Sequence, residues 1–100
     1  MIVSRSKECM ERFVEDFKRG LFTADDGRVL KIWVTEMEAF GPKYIEEHPD
    51  WRDHTLQGNW LGHRASCFSS SGRIIYRIVD KDQIEVCMIE RITPNHDYRK

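Results

Sequence analysis

The chain has 100 residues, 40% of them hydrophobic and 33% charged, and its formal net charge at pH 7 is −1. This length suits one hydrophobic core, so we predict a single domain over residues 1–100. No apolar run approaches the roughly 18 residues of a membrane span, and the N-terminal residues lack the layout of a signal peptide. We therefore expect a cytoplasmic protein that does not enter a membrane. Three widely spaced cysteines, Cys9, Cys67 and Cys87, argue against a disulfide framework and against a structural zinc site.

Two amphipathic helices are predicted in the first half of the chain. Ser4 or Ser6 can cap the first helix and Gly20 can end it, while Thr23 and Asp26 have the spacing of a cap for the second. Each helix has apolar residues at the spacing of one helical face, and we expect both stripes to lie in the core. The stripes are Met10, Phe13, Val14 and Phe17 in the first helix and Leu30, Trp33, Val34 and Met37 in the second.

Three β-strands are predicted in the second half, after Gly41-Pro42 stops the second helix and a short helical turn runs to His48. The turn residues Ser69-Ser70-Ser71-Gly72 and Asp80-Lys81-Asp82 separate the strands, which are expected at residues 63–68, 74–79 and 84–89. Ile2-Val3 could add an edge strand. The fold class is therefore α+β, with two N-terminal helices packed on one face of a small antiparallel β-sheet and the other face free for a ligand.

The charges are distributed unevenly along the chain. Residues 1–50 carry eight Lys and Arg against eleven Asp and Glu, whereas residues 51–100 carry eight against six. No carboxylate lies between His54 and Val79, although three arginines do. An acid-free segment with several guanidinium groups favours a surface that faces phosphates.

Two segments carry a family resemblance: residues 53–64, DHTLQGNWLGHR, and residues 72–78, GRIIYRI. They resemble the RelE superfamily of bacterial toxins, and its YafQ branch most closely, and the ending Glu90-Arg91-Ile92-Thr93-x-x-His96 follows the same pattern. The resemblance covers about half of the chain, from Trp51 to Tyr98. It implies a RelE-like fold and the toxin of a type II toxin–antitoxin system. It also implies an endoribonuclease that cleaves mRNA on the ribosome, with a cognate antitoxin and no cofactor.

The resemblance also points to a site. Cleaving RNA without a metal needs a base for the 2′-hydroxyl, positive charge for the transition state and a proton donor for the leaving oxygen. His54 and His96 match histidines of the YafQ pattern, and histidine is the side chain best suited to acid–base catalysis at neutral pH. Arg73 lies where RelE toxins carry a phosphate-binding arginine. We expect these three catalytic side chains to converge on one sheet face. The predicted RNA-binding residues are Arg64, Arg77, Arg91 and Tyr98.

The sequence departs from the YafQ pattern at two places. Cys67 stands where those toxins have a histidine, and Ser71-Gly72 stands where they have Asp-Trp. A thiol replaces an imidazole only if its pKa is strongly lowered, and His63 is a candidate to compensate. Trp60 is expected to pack under the sheet edge and to fix His54.

Two other functions stay open beside the nuclease. One is a non-enzymatic toxin similar to ParE, which binds DNA gyrase, and the other is a catalytically weakened member that acts through antitoxin binding. For a toxin, the antitoxin segment is expected to be acidic, to fold on binding and to cover Arg64, Arg73 or Arg77.

Overall fold

The computed structural model describes residues 1–95. In chain order, the helices are α1 (Lys7–Lys18), α2 (Ala24–Phe40) and α3 (Pro42–Glu47). The strands are β1 (Ile2–Arg5), β2 (His54–Thr55), β3 (Arg64–Cys67), β4 (Arg73–Lys81) and β5 (Ile84–Thr93). Single 3-10 turns at Pro49–Trp51 and Gly58–Trp60 lie before and after β2. Within residues 1–95, no helix combines the length and the apolar composition needed to cross a membrane.

The strands form one sheet in the order β1-β5-β4-β3-β2. Strands β2 to β5 pair antiparallel, and β1 pairs parallel with β5, with Ile2 opposite Val86. Pairing slips between Ile75 and Tyr76, which leaves Glu90 as the extra residue of a bulge in β5. The predicted α+β class, the antiparallel meander and the edge strand at Ile2-Val3 are confirmed.

The helix ends follow the caps that the sequence predicts. Ser6, rather than Ser4, caps α1 by accepting a hydrogen bond from the Cys9 amide at 3.1 Å. Helix α1 ends at Lys18, and Gly20, just after the C-cap residue Arg19, has a φ of 74° in the left-handed region that favours glycine. Thr23 and Asp26 form a reciprocal capping box on α2, with both hydrogen bonds at 2.9 Å.

The helices cover one face of the sheet. The core on this side takes residues from α2, α3, β4 and β5, including Trp33, Met37, Ile45, Ile74, Tyr76, Cys87 and Ile89. The predicted stripe of α1 is only partly correct, since Val14 and Phe17 are 42% and 58% exposed. Cys9 is buried in their place and Phe13 packs partly beside it, because α1 presents only the narrow Cys9–Phe13 face to the core.

We call the opposite side the outer face. A second, smaller apolar cluster lies there, made of Leu56, Trp60, Ala65 and Ile75. Leu56 and Trp60 come from the segment between β2 and β3, which folds back over the sheet. The expectation of a free outer face is therefore wrong for this part of the sheet, because the apolar groups of the segment are buried against it.

Candidate functional site

The strand register places His54 on the outer face. His54 pairs with Ala65, Ala65 pairs with Ile75, and Ile75 pairs with Arg91, so these residues form one row across β2 to β5. Neighbouring strands lie about 4.8 Å apart, so the backbones of His54 and Arg91 are roughly 14 Å apart. The two residues between them in this row, Ala65 and Ile75, are buried under Leu56 and Trp60.

Arg73 lies on the same face, two residues before Ile75 along β4. It pairs with Cys67 on β3 and with Thr93 on β5. Its Nη1 donates to the carbonyl oxygen of Gly72 at 2.9 Å and is 3.4 Å and 3.5 Å from the carbonyls of Ser70 and Ser69. Arg73 makes no ion pair within residues 1–95, so its charge is available to an anion.

Arg91 packs on an aromatic ring. Its guanidinium carbon lies 5.4 Å from the centre of the Trp60 ring, a cation–π arrangement that fixes the side chain on the outer face. Burial lowers the pKa of Arg91, and the nearby Arg12 lowers it further, although an arginine keeps its proton at any physiological pH. The rings of Trp60 and His63 also pack edge to face, with their centroids 5.0 Å apart. Trp60 is therefore buried against Arg91 and His63, and its predicted support of His54 stays a prediction.

His54 is instead held by the residues before it. The Asp53 carboxylate is fully buried and accepts hydrogen bonds from Arg64 Nε at 2.6 Å, Ser66 Oγ at 2.5 Å and Tyr76 Oη at 2.7 Å. The His54 Nδ1 lies 2.9 Å from the Arg52 carbonyl oxygen. In the sequence, Asp53 was identified only as part of a motif. An acid directly before a candidate histidine was the signal for such an anchor.

Arg64 belongs to this buried anchor, which corrects its predicted role in RNA binding. It pairs across the sheet with Tyr76, a residue of the helix-side core, so its side chain lies on the opposite face from Arg73. It also lies 3.6 Å from Glu46 of α3. Burial alone would lower the pKa of Arg64, but the hydrogen bond and charge of Asp53, with the charge of Glu46, raise it.

The Tyr76 hydroxyl is held in its protonated form at the same anchor. Burial raises the pKa of Tyr76, and the charge of Asp53 and the hydrogen bond to it raise the pKa further. The hydroxyl therefore remains a hydrogen-bond donor to Asp53 over the whole physiological pH range.

The charge of Arg77 is balanced by a carboxylate. Arg77 is on the outer face, opposite Met88, and its Nε lies 3.0 Å from Glu90 Oε1. A phosphate would have to displace Glu90 to use this guanidinium fully. The predicted role of Arg77 in RNA binding is therefore less favoured by the geometry than the roles of Arg73 and Arg91.

The positions that depart from the YafQ pattern have structural partners. The Cys67 thiol is buried and lies 4.0 Å from the Arg52 carbonyl oxygen, and Ser71 Oγ donates to the Pro94 carbonyl at 3.1 Å. A Cβ atom on Gly72 would overlap the ring of Phe68, so this turn has no room for a larger side chain. His63, the candidate to compensate for Cys67, lies against Trp60 instead.

Two predicted residues, His96 and Tyr98, lie outside the described residues. Their place relative to His54 and Arg73 therefore stays a prediction. Among the described residues, no group of three His, Cys, Asp or Glu side chains has the arrangement of a metal site.

Comparisons with known proteins place the fold. No family model matches the chain, and no curated protein matches it. YafQ from E. coli strain BL21(DE3) superposes with a TM-score of 0.66 and 23% identity, over 90% of this chain and 88% of YafQ. YafQ in the E. coli DinJ–YafQ complex gives a TM-score of 0.67 and 22% identity, over 94% of this chain and 91% of the other. The YoeB–YefM complex from Staphylococcus aureus gives a TM-score of 0.65 and 12% identity, over 93% of this chain and 94% of the other. The chain therefore has the RelE-like fold that the YafQ and YoeB toxins share.

Proposed function

We propose that this chain is the toxin of a type II toxin–antitoxin pair and a metal-independent endoribonuclease that cleaves mRNA on the ribosome. The fold, shared with the YafQ and YoeB toxins, supports the toxin class. The observation that carries the nuclease is the shared outer face of His54, Arg73 and Arg91. A base and two guanidinium groups on one sheet face supply two of the three functions that metal-free cleavage needs, and the proton donor is the third.

The contacts of His54 fit the role of the base. Its Nδ1 is 2.9 Å from the Arg52 carbonyl, which only accepts hydrogen bonds, so Nδ1 carries the proton of the neutral ring. Nε2 is then left unprotonated and can take the proton of a 2′-hydroxyl. The 2′-oxygen attacks the phosphorus and the bond to the 5′-oxygen breaks. Arg73 and Arg91 neutralise the developing charge, and His96 protonates the leaving 5′-oxygen. The products are a 2′,3′-cyclic phosphate and a 5′-hydroxyl.

The proposed partner is an antitoxin with an acidic segment. YafQ and YoeB have each been solved with a second protein, DinJ and YefM. On this chain, Arg73 and Arg91 are outer-face cations without an ion pair in residues 1–95, and we expect the acidic segment to cover them. Arg64, which is paired with Asp53 and Glu46, is no longer expected in that interface.

The test is induced expression followed by mapping of mRNA ends. We expect cleavage that persists in EDTA and falls about 10² to 10⁴-fold in His54→Ala and about 10² to 10³-fold in Arg73→Ala. Arg28→Ala is the control, because Arg28 is an exposed residue of α2 that pairs with Asp25 at 2.6 Å. Thermal unfolding of each variant checks that the fold is intact.

The competing functions give different results. Growth arrest with intact mRNA and inhibited gyrase would favour the ParE-like function. A chain that binds its antitoxin but neither arrests growth nor cleaves RNA would favour the weakened member. Cleavage at the wild-type rate in both His54→Ala and Arg73→Ala would contradict the proposed mechanism.

A further inference from the structure

Two arginines converge on one backbone oxygen at the turn between β3 and β4. Arg52 Nη2 and Arg73 Nη1 each lie 3.5 Å from the Ser69 carbonyl oxygen, so the two nitrogens are within about 7 Å of each other. Like charges at this separation repel, and the distances to the carbonyl are at the outer limit for hydrogen bonds. An anion between the two guanidinium groups would relieve the repulsion and replace the weak contacts with strong ones.

No carboxylate of the described chain takes the place of that anion. Asp50 and Asp53 flank Arg52 in the sequence, but Arg52 makes no ion pair in residues 1–95. The Asp53 carboxylate is occupied by Arg64, Ser66 and Tyr76. The pair therefore keeps its positive charge in the described part of the chain.

The backbone of Arg52 is in a conformation that arginine rarely adopts. Its φ of 45° and ψ of 42° lie in the left-handed region, where glycine or asparagine would be less strained. In this conformation the Arg52 carbonyl accepts from His54, while the side chain reaches Ser69. A strained residue with a charged side chain is a common feature of binding sites, where the side chain is needed at that point.

We propose that Arg52 and Arg73 together bind one phosphate of the RNA backbone, which makes Arg52 a second phosphate-binding residue of this site. The proposal rests on the proposed function, since it names how that site holds its substrate. Arg52 would hold the phosphate by its guanidinium and the His54 ring by its carbonyl. One residue would thus set the distance between the bound phosphate and the catalytic base.

The experiment measures binding apart from cleavage. A 2′-O-methyl RNA oligonucleotide cannot be cleaved through its 2′-oxygen, so its dissociation constant can be measured over a range of salt concentrations. The variants are Arg52→Asn, which tolerates the left-handed backbone, Arg73→Met, and the double variant. The control is Lys81→Met, which removes a positive charge at the far end of β4.

We expect Arg52→Asn to weaken binding roughly tenfold, with no loss of thermal stability, while Lys81→Met binds as the wild type does. The plot of log affinity against log salt concentration loses about one unit of slope for each phosphate contact that is removed. If one phosphate is shared, each single variant keeps nearly the wild-type slope and the double variant loses about one unit. Wild-type binding by Arg52→Asn, or a loss of about two units in the double variant, would overturn the proposal. If RNA binding depends on Arg52 and Arg73 but the protein cleaves no RNA, the shared phosphate site is supported and the nuclease function is rejected.

Discussion

At the scale of single residues, Asp53 is the side chain on which the site depends most. Burying a carboxylate costs several kcal/mol of hydration free energy, which hydrogen bonds from the protein have to offset. Asp53 receives three such bonds, from an arginine, a serine and a tyrosine, and so joins the segment before β2 to β3 and β4. The next residue is His54, so the position of the candidate base is determined by this anchor.

We predict that Asp53→Ala lowers the free energy of unfolding by about 3 to 5 kcal/mol, because it leaves the buried hydroxyls of Ser66 and Tyr76 without their acceptor and removes the shorter ion pair of Arg64. Glu46→Ala is the control, since it removes the second, more exposed carboxylate of Arg64 at 3.6 Å and should cost less than about 1 kcal/mol. Urea denaturation measures both values. Similar losses in the two variants would contradict the role of Asp53 as the anchor.

The sequence predicted some residues of the site and missed others, for two physical reasons. The register places His54 and Arg73 on one face, and their convergence with His96 stays a prediction. The side chains of a strand alternate between the two faces, so a one-residue uncertainty in register reverses the expected face. Arg64 was assigned wrongly for this reason. Arg52 was missed because its reach to Ser69 depends on a left-handed backbone that nothing in the local sequence indicates.

At the scale of elements, the turn from β3 to β4 is constrained by close packing. The Gly72 amide donates to Ser69 Oγ at 2.8 Å, and the Phe68 amide donates to the Gly72 carbonyl at 3.2 Å. The ring of Phe68 occupies the space beside the Gly72 Cα. The turn that presents Arg73 is therefore tied to the helix-side core through Phe68.

We predict opposite effects for alanine at two glycines. Gly72→Ala should lower the free energy of unfolding by about 1 to 3 kcal/mol, because Phe68 has to move from its packed position. Gly27→Ala, in the first turns of α2 with open space around it, should raise it by about 0.5 to 1 kcal/mol. Thermal or urea unfolding of the two variants tests this. A Gly72→Ala protein as stable as the wild type would show that Phe68 does not pack tightly against this turn.

The elements themselves were predicted well wherever the signal is local. Caps such as Thr23 with Asp26, and the stop at Gly41-Pro42, depend on neighbouring residues and were located from them. The exposure of Val14 and Phe17 could not be predicted, because it depends on how much of α1 the sheet covers. Periodicity indicates which residues share a helix face, but tertiary packing decides how wide the buried part of that face is.

At the scale of the whole molecule, buried thiols make the free energy of unfolding depend on pH in the alkaline range. Burial raises the pKa of Cys9 from 9.0 to about 11 and, with the charge of Asp53, that of Cys87 from 9.0 to about 12. The unfolded thiols therefore ionise first as the pH rises above 9. The contribution of each thiol to stability is complete below pH 9, and it falls as the pH approaches 11 for Cys9 and 12 for Cys87.

We predict that the free energy of unfolding falls between pH 9 and pH 11 and that Cys9→Ala makes this fall less steep. The two pKa units of Cys9 correspond to about 2 to 3 kcal/mol at the upper end of the range. Urea denaturation at a series of pH values measures the slope, with Cys67→Ala as the comparison. An unchanged slope in Cys9→Ala would contradict the prediction.

The parallel pairing of β1 with β5 also affects how the protein is made. Strand β1 is made before the other elements of the described chain, whereas its hydrogen-bonding partners in β5 follow all the helices and the other strands. Pairing over such a long stretch of sequence folds slowly, because the entropy of closing the loop is lost before the contacts form. Arg91 also lies on β5, so the row from His54 to Arg91 is complete only after β5 has been made. A binding partner already present in the cell would thus have the interval between the synthesis of β1 and the pairing of β5 in which to reach the chain before its site exists.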